Sequence, residues 1–167
     1  MAQTFKAIAT TTVGSGGASS ISFSSISSAY NDLNILISGR TTESITYGYI
    51  SISFNGAGTL SYKRVLGYAT GVNSSTGSLF VSNNTPGTGI FGSTSIYIPN
   101  YSGSSQKSFS METVMEANST TSESALDAML VGLWSDSAAI TTITLTPLSS
   151  QTFLQYSTAT LYGIKNS

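Results

Sequence analysis

The sequence predicts an all-β protein, a single-domain antiparallel β-sandwich spanning residues 1–167, and three observations carry that prediction. Apolar and polar residues alternate with period two along most of the chain, turn-forming clusters of Gly, Asn, Ser and Pro recur roughly every ten residues, and no strand–helix–strand alternation is visible. Strict alternation is what a strand with one face in a core and one in water requires, because successive side chains point to opposite sides of the sheet. About a third of the chain is Ser plus Thr, and these residues fill the positions where a strand would meet water. With 40% hydrophobic and 10% aromatic residues the chain also has the apolar content that disordered sequences lack.

The alternation places strands near 4–12, 19–26, 32–41, 47–55, 59–68, 78–82, 90–98, 106–117, 128–134, 139–146 and 152–164. In Tyr49-Ile50-Ser51-Ile52-Ser53-Phe54 the apolar Ile50, Ile52 and Phe54 share one face, and Asn55-Gly56 follows as a turn signal. Ser20-Ile21-Ser22-Phe23-Ser24, Ser95-Ile96-Tyr97-Ile98 and Ile143-Thr144-Leu145-Thr146 repeat the arrangement. In 108–116 the apolar residues 109, 111 and 115 alternate with polar 108, 110, 112 and 116, and Val114 breaks the pattern. Residues 47–68 are expected to form an antiparallel hairpin turning at 55–58. Pro99 and Pro147 fall at strand ends, where a missing N–H is tolerated, and Gly163 interrupts the last strand where a bulge or a close neighbouring backbone is expected. A short helix over 121–130 is the one alternative to strand, and 68–89 is the longest weakly patterned stretch, a candidate contact loop or a plain surface connection. About eight principal strands in one domain favour a jelly roll over an immunoglobulin-type sandwich.

Composition narrows function by subtraction. The chain has no His, no Cys, 6 Lys+Arg and 7 Asp+Glu, so proton shuttling, thiol nucleophiles and soft-metal sites have few residues to draw on. The expectation is no enzyme, no catalytic residue, no metal and no cofactor. A net charge of −1 offers no attraction to nucleic acid, and neither a signal peptide nor an apolar run long enough for a membrane span is read, so a soluble protein without nucleic-acid or membrane partners is expected. With only 8% charged residues, a monomer would have little charge repulsion to keep it dispersed, which points to a surface partly covered in an assembly.

Individual candidates are few. Glu112 and Glu116 share the outward face of one strand and could in principle form a glycosidase pair, but without an aromatic cleft beside them they read as solvated strand charges. Asp32, Asp127 and Asp136 lack calcium-loop spacing. Tyr47, Tyr49, Tyr62 and Tyr68 cluster around Asn55-Gly56. With Ile50, Ile52 and Phe54 inward, Tyr47 and Tyr49 point outward, as a surface for sugar or another subunit or under a segment of the same chain. Lys63 and Arg64 are adjacent on a strand and face opposite sides, so they form no basic patch. Trp134, ending an apolar strand, reads as core. The Asn-x-Ser/Thr matches at Asn73, Asn83, Asn100 and Asn118 are expected by chance in so Ser/Thr-rich a chain.

Four segments carry a resemblance: Ala18-Ser-Ser-Ile-Ser-Phe-Ser-Ser-Ile26 with Tyr30-Asn-Asp-Leu-Asn-Ile-Leu-Ile-Ser-Gly-Arg40; Ile96-Tyr-Ile-Pro-Asn-Tyr-Ser102 with Lys107-Ser-Phe-Ser110; residues 140–147; and Phe153 with Ser157-Thr-Ala-Thr-Leu-Tyr-Gly-Ile-Lys165. Together they resemble small β-sandwich virion proteins of tailed bacteriophages. The resemblance implies a structural protein of the particle; the expectation is a decoration or cement protein on the outer capsid surface that binds and stabilises the shell of major capsid protein, and the scarcity of charge points to a homotrimer. A tail or fibre component binding host-surface glycan is the alternative. The family's motifs are those of strands and turns, so no catalytic residue is carried over.

Overall fold

The computed structural model describes the backbone of residues 5–43, 48–56, 60–68, 71–75, 79–81, 89–116 and 125–165, and the side chains of these except 62–68, 71–75, 79–80, 116 and 125–126. Every element among them is a strand: β1 (Phe5–Thr12), β2 (Ile21–Phe23), β3 (Asp32–Gly39), β4 (Gly48–Phe54), β5 (Leu60–Tyr68), β6 (Gly71–Ser75), β7 (Leu79–Val81), β8 (Gly92–Ile98), β9 (Lys107–Glu116), β10 (Ala125–Trp134), β11 (Ile143–Pro147) and β12 (Thr158–Ile164). They form an eight-stranded sheet ordered β1-β12-β3-β8-β9-β10-β5-β6 and a four-stranded sheet ordered β2-β11-β4-β7, all pairs antiparallel. The two sheets pack face to face as a β-sandwich.

Eight strands pair in nested fashion, β1 with β12, β2 with β11, β3 with β8 and β4 with β7, like one long hairpin rolled up across two sheets. Between β4 and β7 the chain inserts β5–β6, and between β8 and β11 it inserts β9–β10. These four strands extend the larger sheet beyond β8. The nesting sorts the connections to two ends. One end gathers residues 13–17, 40–42, 89–91 and 151–157. The other gathers 24–31, 55, 100–105 and 137–142, tied by Ile26 N to Thr141 O at 3.0 Å, Ile140 N to Tyr101 O at 2.9 Å and the Tyr101 hydroxyl donating to Ser27 O.

The alternation built the core as expected. β4 buries Gly48, Ile50, Ile52 and Phe54 and half-exposes the residues between them, and β12 buries Ala159, Leu161 and Gly163. In β9 the alternation is unbroken, so Val114 points outward and Thr113 inward, where its hydroxyl shares a 2.7 Å hydrogen bond with that of buried Thr94. Between the sheets the Phe54 ring meets Phe109 and Trp134 edge-on, both at 5.6 Å. Phe109 lies opposite Gly132 across β9–β10, its ring atoms 2.1–2.7 Å from where a Cβ would stand, so only glycine leaves room for it.

Several expectations are corrected. Residues 47–68 are not a hairpin: β4 pairs with β11 and β7 in the smaller sheet, whereas β5 pairs with β10 and β6 in the larger. Asn55 and Gly56 do adopt positive φ, 53° and 68°, but they begin a crossing between sheets. Local alternation and a turn signal suit either outcome, and the choice is made by distant partners. The Asn55 side chain donates from Nδ2 to Ala139 O at 2.8 Å and accepts at Oδ1 from the backbone N–H of Thr141 at 2.8 Å and Thr142 at 3.0 Å. The helical alternative over 121–130 gives way to β10 from Ala125 onward, and part of 68–89 is structured as β6 and β7. Of the bulge or close neighbouring backbone expected at Gly163, the bulge lies on the neighbouring strand, between Ala7 and Ala9, where Ile8 packs against the core, and the close neighbour is a side chain. Gly163 accommodates the Tyr30 ring, 2.3–2.6 Å from a would-be Cβ. Expected strand 152–164 begins only at Thr158; Phe153 ahead of it makes isolated bridges to Ala18 and Thr41.

Candidate functional site at one end of the sandwich

Residues from 15–17, 40–42, 89–91 and 152–156, which belong to four different connections, line an open cavity of about 620 Å³. Ligand sites commonly fall in the range of ~300–1,000 Å³. Its wall combines one cation, Arg40, with hydroxyls and an amide from Thr42, Thr152 and Gln155, and the rings of Phe91 and Tyr156. Among the described residues, no carboxylate contributes to it.

The cavity is held by backbone on both sides. Arg40 follows the last residue of β3, and its main chain is clamped to the β11–β12 connection: its N–H donates to Ser157 Oγ at 3.1 Å, and its carbonyl accepts from Ser157 Oγ at 3.0 Å and Leu154 N at 2.9 Å. The Ser157 hydroxyl that makes two of these bonds is wholly buried. Thr42 is fixed the same way, its N–H donating to Thr152 O at 3.0 Å, while its hydroxyl donates to Gln151 Oε1 and accepts from Thr152 N. Arg40 is thereby only 8% exposed, whereas Tyr156 on the rim is 67% exposed. Tyr156 sits at φ 70°, and with Ser149 and Ser150 it makes three of the six positive-φ non-glycine residues among those described, all in one connection. Such outliers persist only where surrounding contacts over-determine them. Here Tyr156 N donates to Val13 O and Ser157 N to Leu154 O, at 2.9 and 3.1 Å.

The residues singled out in the sequence lie elsewhere and are not brought together. Glu112 is exposed on β9, in register with Met129 and Ser95, and Glu116 pairs by backbone with Ala125, its side chain outside the described residues. Asp32 accepts from the Tyr97 hydroxyl and from Asn100 N, both at 2.9 Å, at the opposite end of the sandwich. Burial, then the carboxylate of Asp32, pushes the Tyr97 phenol above its usual value. Asp127 is exposed on β10, and Asp136 caps Ala138 N at 2.8 Å. Among the described residues no three His, Cys, Asp or Glu gather as metal ligands would. Tyr49 is half-buried; Tyr47 lies outside the described residues, as do the side chains of Tyr62, Lys63, Arg64 and Tyr68. Trp134 is wholly buried, as expected, and Lys107 packs its ammonium 5.9 Å from the Trp134 ring, 1% exposed, donating to the carbonyls of Ser105 and Ser137. Burial lowers the Lys107 pKa, against the pull of Asp136. Asn100 takes a corner at φ 48°. Asn73 is in β6, and Asn83 and Asn118 lie outside the described residues.

A second surface stands out on the outward face of β9 and β10. Met129, Val131 and Val114 are 60%, 58% and 58% exposed, and Leu133 continues the row. β10 is therefore apolar on both faces, its inner side burying Ala128, Leu130 and Trp134. By register Lys63 flanks Val131 on β5, and Glu112 flanks Met129 on β9.

Compared with protein-family models, curated proteins and solved structures, the chain matches none.

Proposed function

We propose that the protein is a non-enzymatic structural component of a tailed-bacteriophage virion: a decoration protein on the capsid surface that binds the major capsid protein and assembles as a homotrimer. The observation that carries this reading is the apolar outward row of Val114, Met129, Val131 and Leu133 in a chain with 8% charged residues. Contiguous exposed apolar surface marks an interaction site. The nested pairing of eight strands supports a jelly roll, an architecture used repeatedly in virus particles and lectins, and the resemblance over 18–40, 96–110, 140–147 and 153–165 supports the phage assignment. Binding only to the assembled lattice would stabilise the shell by mass action, multiplied over many copies.

Light scattering of the purified protein, with sedimentation against phage capsid shells across a range of salt, tests the reading. A trimer that remains bound at high salt is the expected result, since apolar contacts do not weaken as charge is screened. A monomer at micromolar concentration, or release by salt alone, overturns it. The cavity at the loop end favours one second reading, a tail or fibre component that binds host-surface glycan, and copy number in purified particles separates the two: many for a decoration protein, few for a fibre tip.

A further inference from the structure

We infer that the loop-end cavity is a binding site for a carboxylate-bearing sugar, the acidic residue of a glycan, with Arg40 holding the carboxylate and Tyr156 providing the ring against which the sugar's C–H face rests. Among the described residues the lining holds one cation and no carboxylate, a charge balance that favours an anionic ligand. One cation suits one carboxylate and not a polyphosphate chain, whose binders cluster Lys and Arg. The guanidinium of a residue 8% exposed works in a partly dehydrated setting, where charge-assisted hydrogen bonds are strongest.

The other lining groups match the rest of a sugar. Thr42, Thr152 and Gln155 offer donors and acceptors for ring hydroxyls, and Phe91 and Tyr156 offer aromatic surface. The left-handed backbone of Tyr156, fixed by its N–H to Val13 O, holds an aromatic side chain out at the rim, 67% exposed. The double clamp of Ser157 on Arg40 and the Thr42–Thr152 pair fix the two walls before any ligand arrives, which limits the ordering cost of binding. The inference stands apart from the capsid reading: copy number decides that one and saccharide titration decides this one.

The test is calorimetric titration of the full chain with trigalacturonate, its methyl ester, acetate and inorganic phosphate. The expected result is binding of trigalacturonate at least about tenfold tighter than of the ester, the difference one charge-assisted contact makes, with acetate and phosphate weaker than either. Arg40→Gln should erase the preference for acid over ester, and Tyr156→Asn, which tolerates the left-handed backbone, should weaken both sugars at an exposed position that does not threaten the fold. Equal affinity for acid and ester, no binding of either, or acetate or phosphate binding as tightly as the sugar each overturns the assignment. So does an undiminished affinity in Tyr156→Asn.

Discussion

Replacing Asn55 by Ala should destabilise the protein well beyond what a surface substitution normally costs. Its carboxamide makes three bonds at 2.8–3.0 Å to Ala139 O, Thr141 N and Thr142 N, and a weaker one at 3.2 Å from the Thr141 hydroxyl. Removing it strands two backbone N–H groups and one carbonyl of the β10–β11 connection. A hydrogen bond is worth about 1 kcal/mol net, an orphaned partner costs about 1–3 kcal/mol, and alanine at φ 53° adds about 1 kcal/mol of strain. Partial rescue by water brings the total to about 3–5 kcal/mol, a fall in Tm of about 10 °C for a chain of this size. Asn55→Gly keeps the backbone geometry and loses only the bonds, so its loss should be smaller. Asn55→Asp keeps the acceptor and should lose least. Urea midpoints and melting curves of the three variants give the order; Asn55→Ala within about 1 kcal/mol of the parent, or Asn55→Gly equal to the parent, refutes the argument that this side chain fixes the crossing between sheets.

Three further outcomes follow from other parts of the structure. Gly132→Ala forces a methyl into the Phe109 ring and should cost about 1–3 kcal/mol of overpacking; combined with Phe109→Leu the loss should be less than additive, as a double-mutant cycle would show. Val131→Glu, at an exposed position, should leave the melting curve of the isolated chain within about 0.5 kcal/mol while abolishing self-association in light scattering, and a trimer that survives it would remove β10 from the interface. Alkaline pH should destabilise the fold through two tyrosines. Tyr97 and Tyr101 have folded pKa values raised above 10.0, so their contribution is complete below that value and is lost as pH rises through the folded pKa. Lys107, lowered from 10.5, acts oppositely and regains stability as it deprotonates. Urea midpoints measured up through strongly alkaline pH should show the tyrosine loss, and less of it in Tyr97→Phe than in the parent.

What the sequence made legible is what period two encodes. Ile50, Ile52 and Phe54, Ile96 and Ile98, and Ile143 and Leu145 are buried because a one-residue slip would turn each row to water. Strand pairing was not encoded so locally. Ile52 of β4 faces Leu145 of β11, far along the chain, and nothing near Asn55 announces it. β6, Gly71–Ser75, has Val72 as its only large apolar residue and holds its place as an edge strand by backbone pairing with β5. Lys107 reads in sequence as a surface charge, yet its position between Trp134 and two loop carbonyls buries it. The cavity was invisible for the same reason as the pairing. Its residues come from four connections, none carries a motif, and Arg40 reads simply as the polar end of an apolar strand.

The nested pairing also explains how such a chain can hold the two proposed binding surfaces without conflict. Rolling one long hairpin across two sheets sends the β1–β2, β3–β4, β7–β8 and β11–β12 connections to one end, so residues 15–17, 40–42, 89–91 and 152–156 meet there however far apart they lie in sequence. The opposite end is closed by its own network around Asn55, Tyr101 and Thr141. Strands inserted between β4 and β7 and between β8 and β11 can then lengthen one sheet past β8 without entering the cavity, and the apolar row of Met129 and Val131 lies on that extension. Changes on β10 and changes at Arg40 lie on different parts of the fold, and well-separated sites contribute nearly independently to stability and binding. Self-association and saccharide affinity should accordingly be separable by mutation, Val131→Glu removing the first and leaving the second.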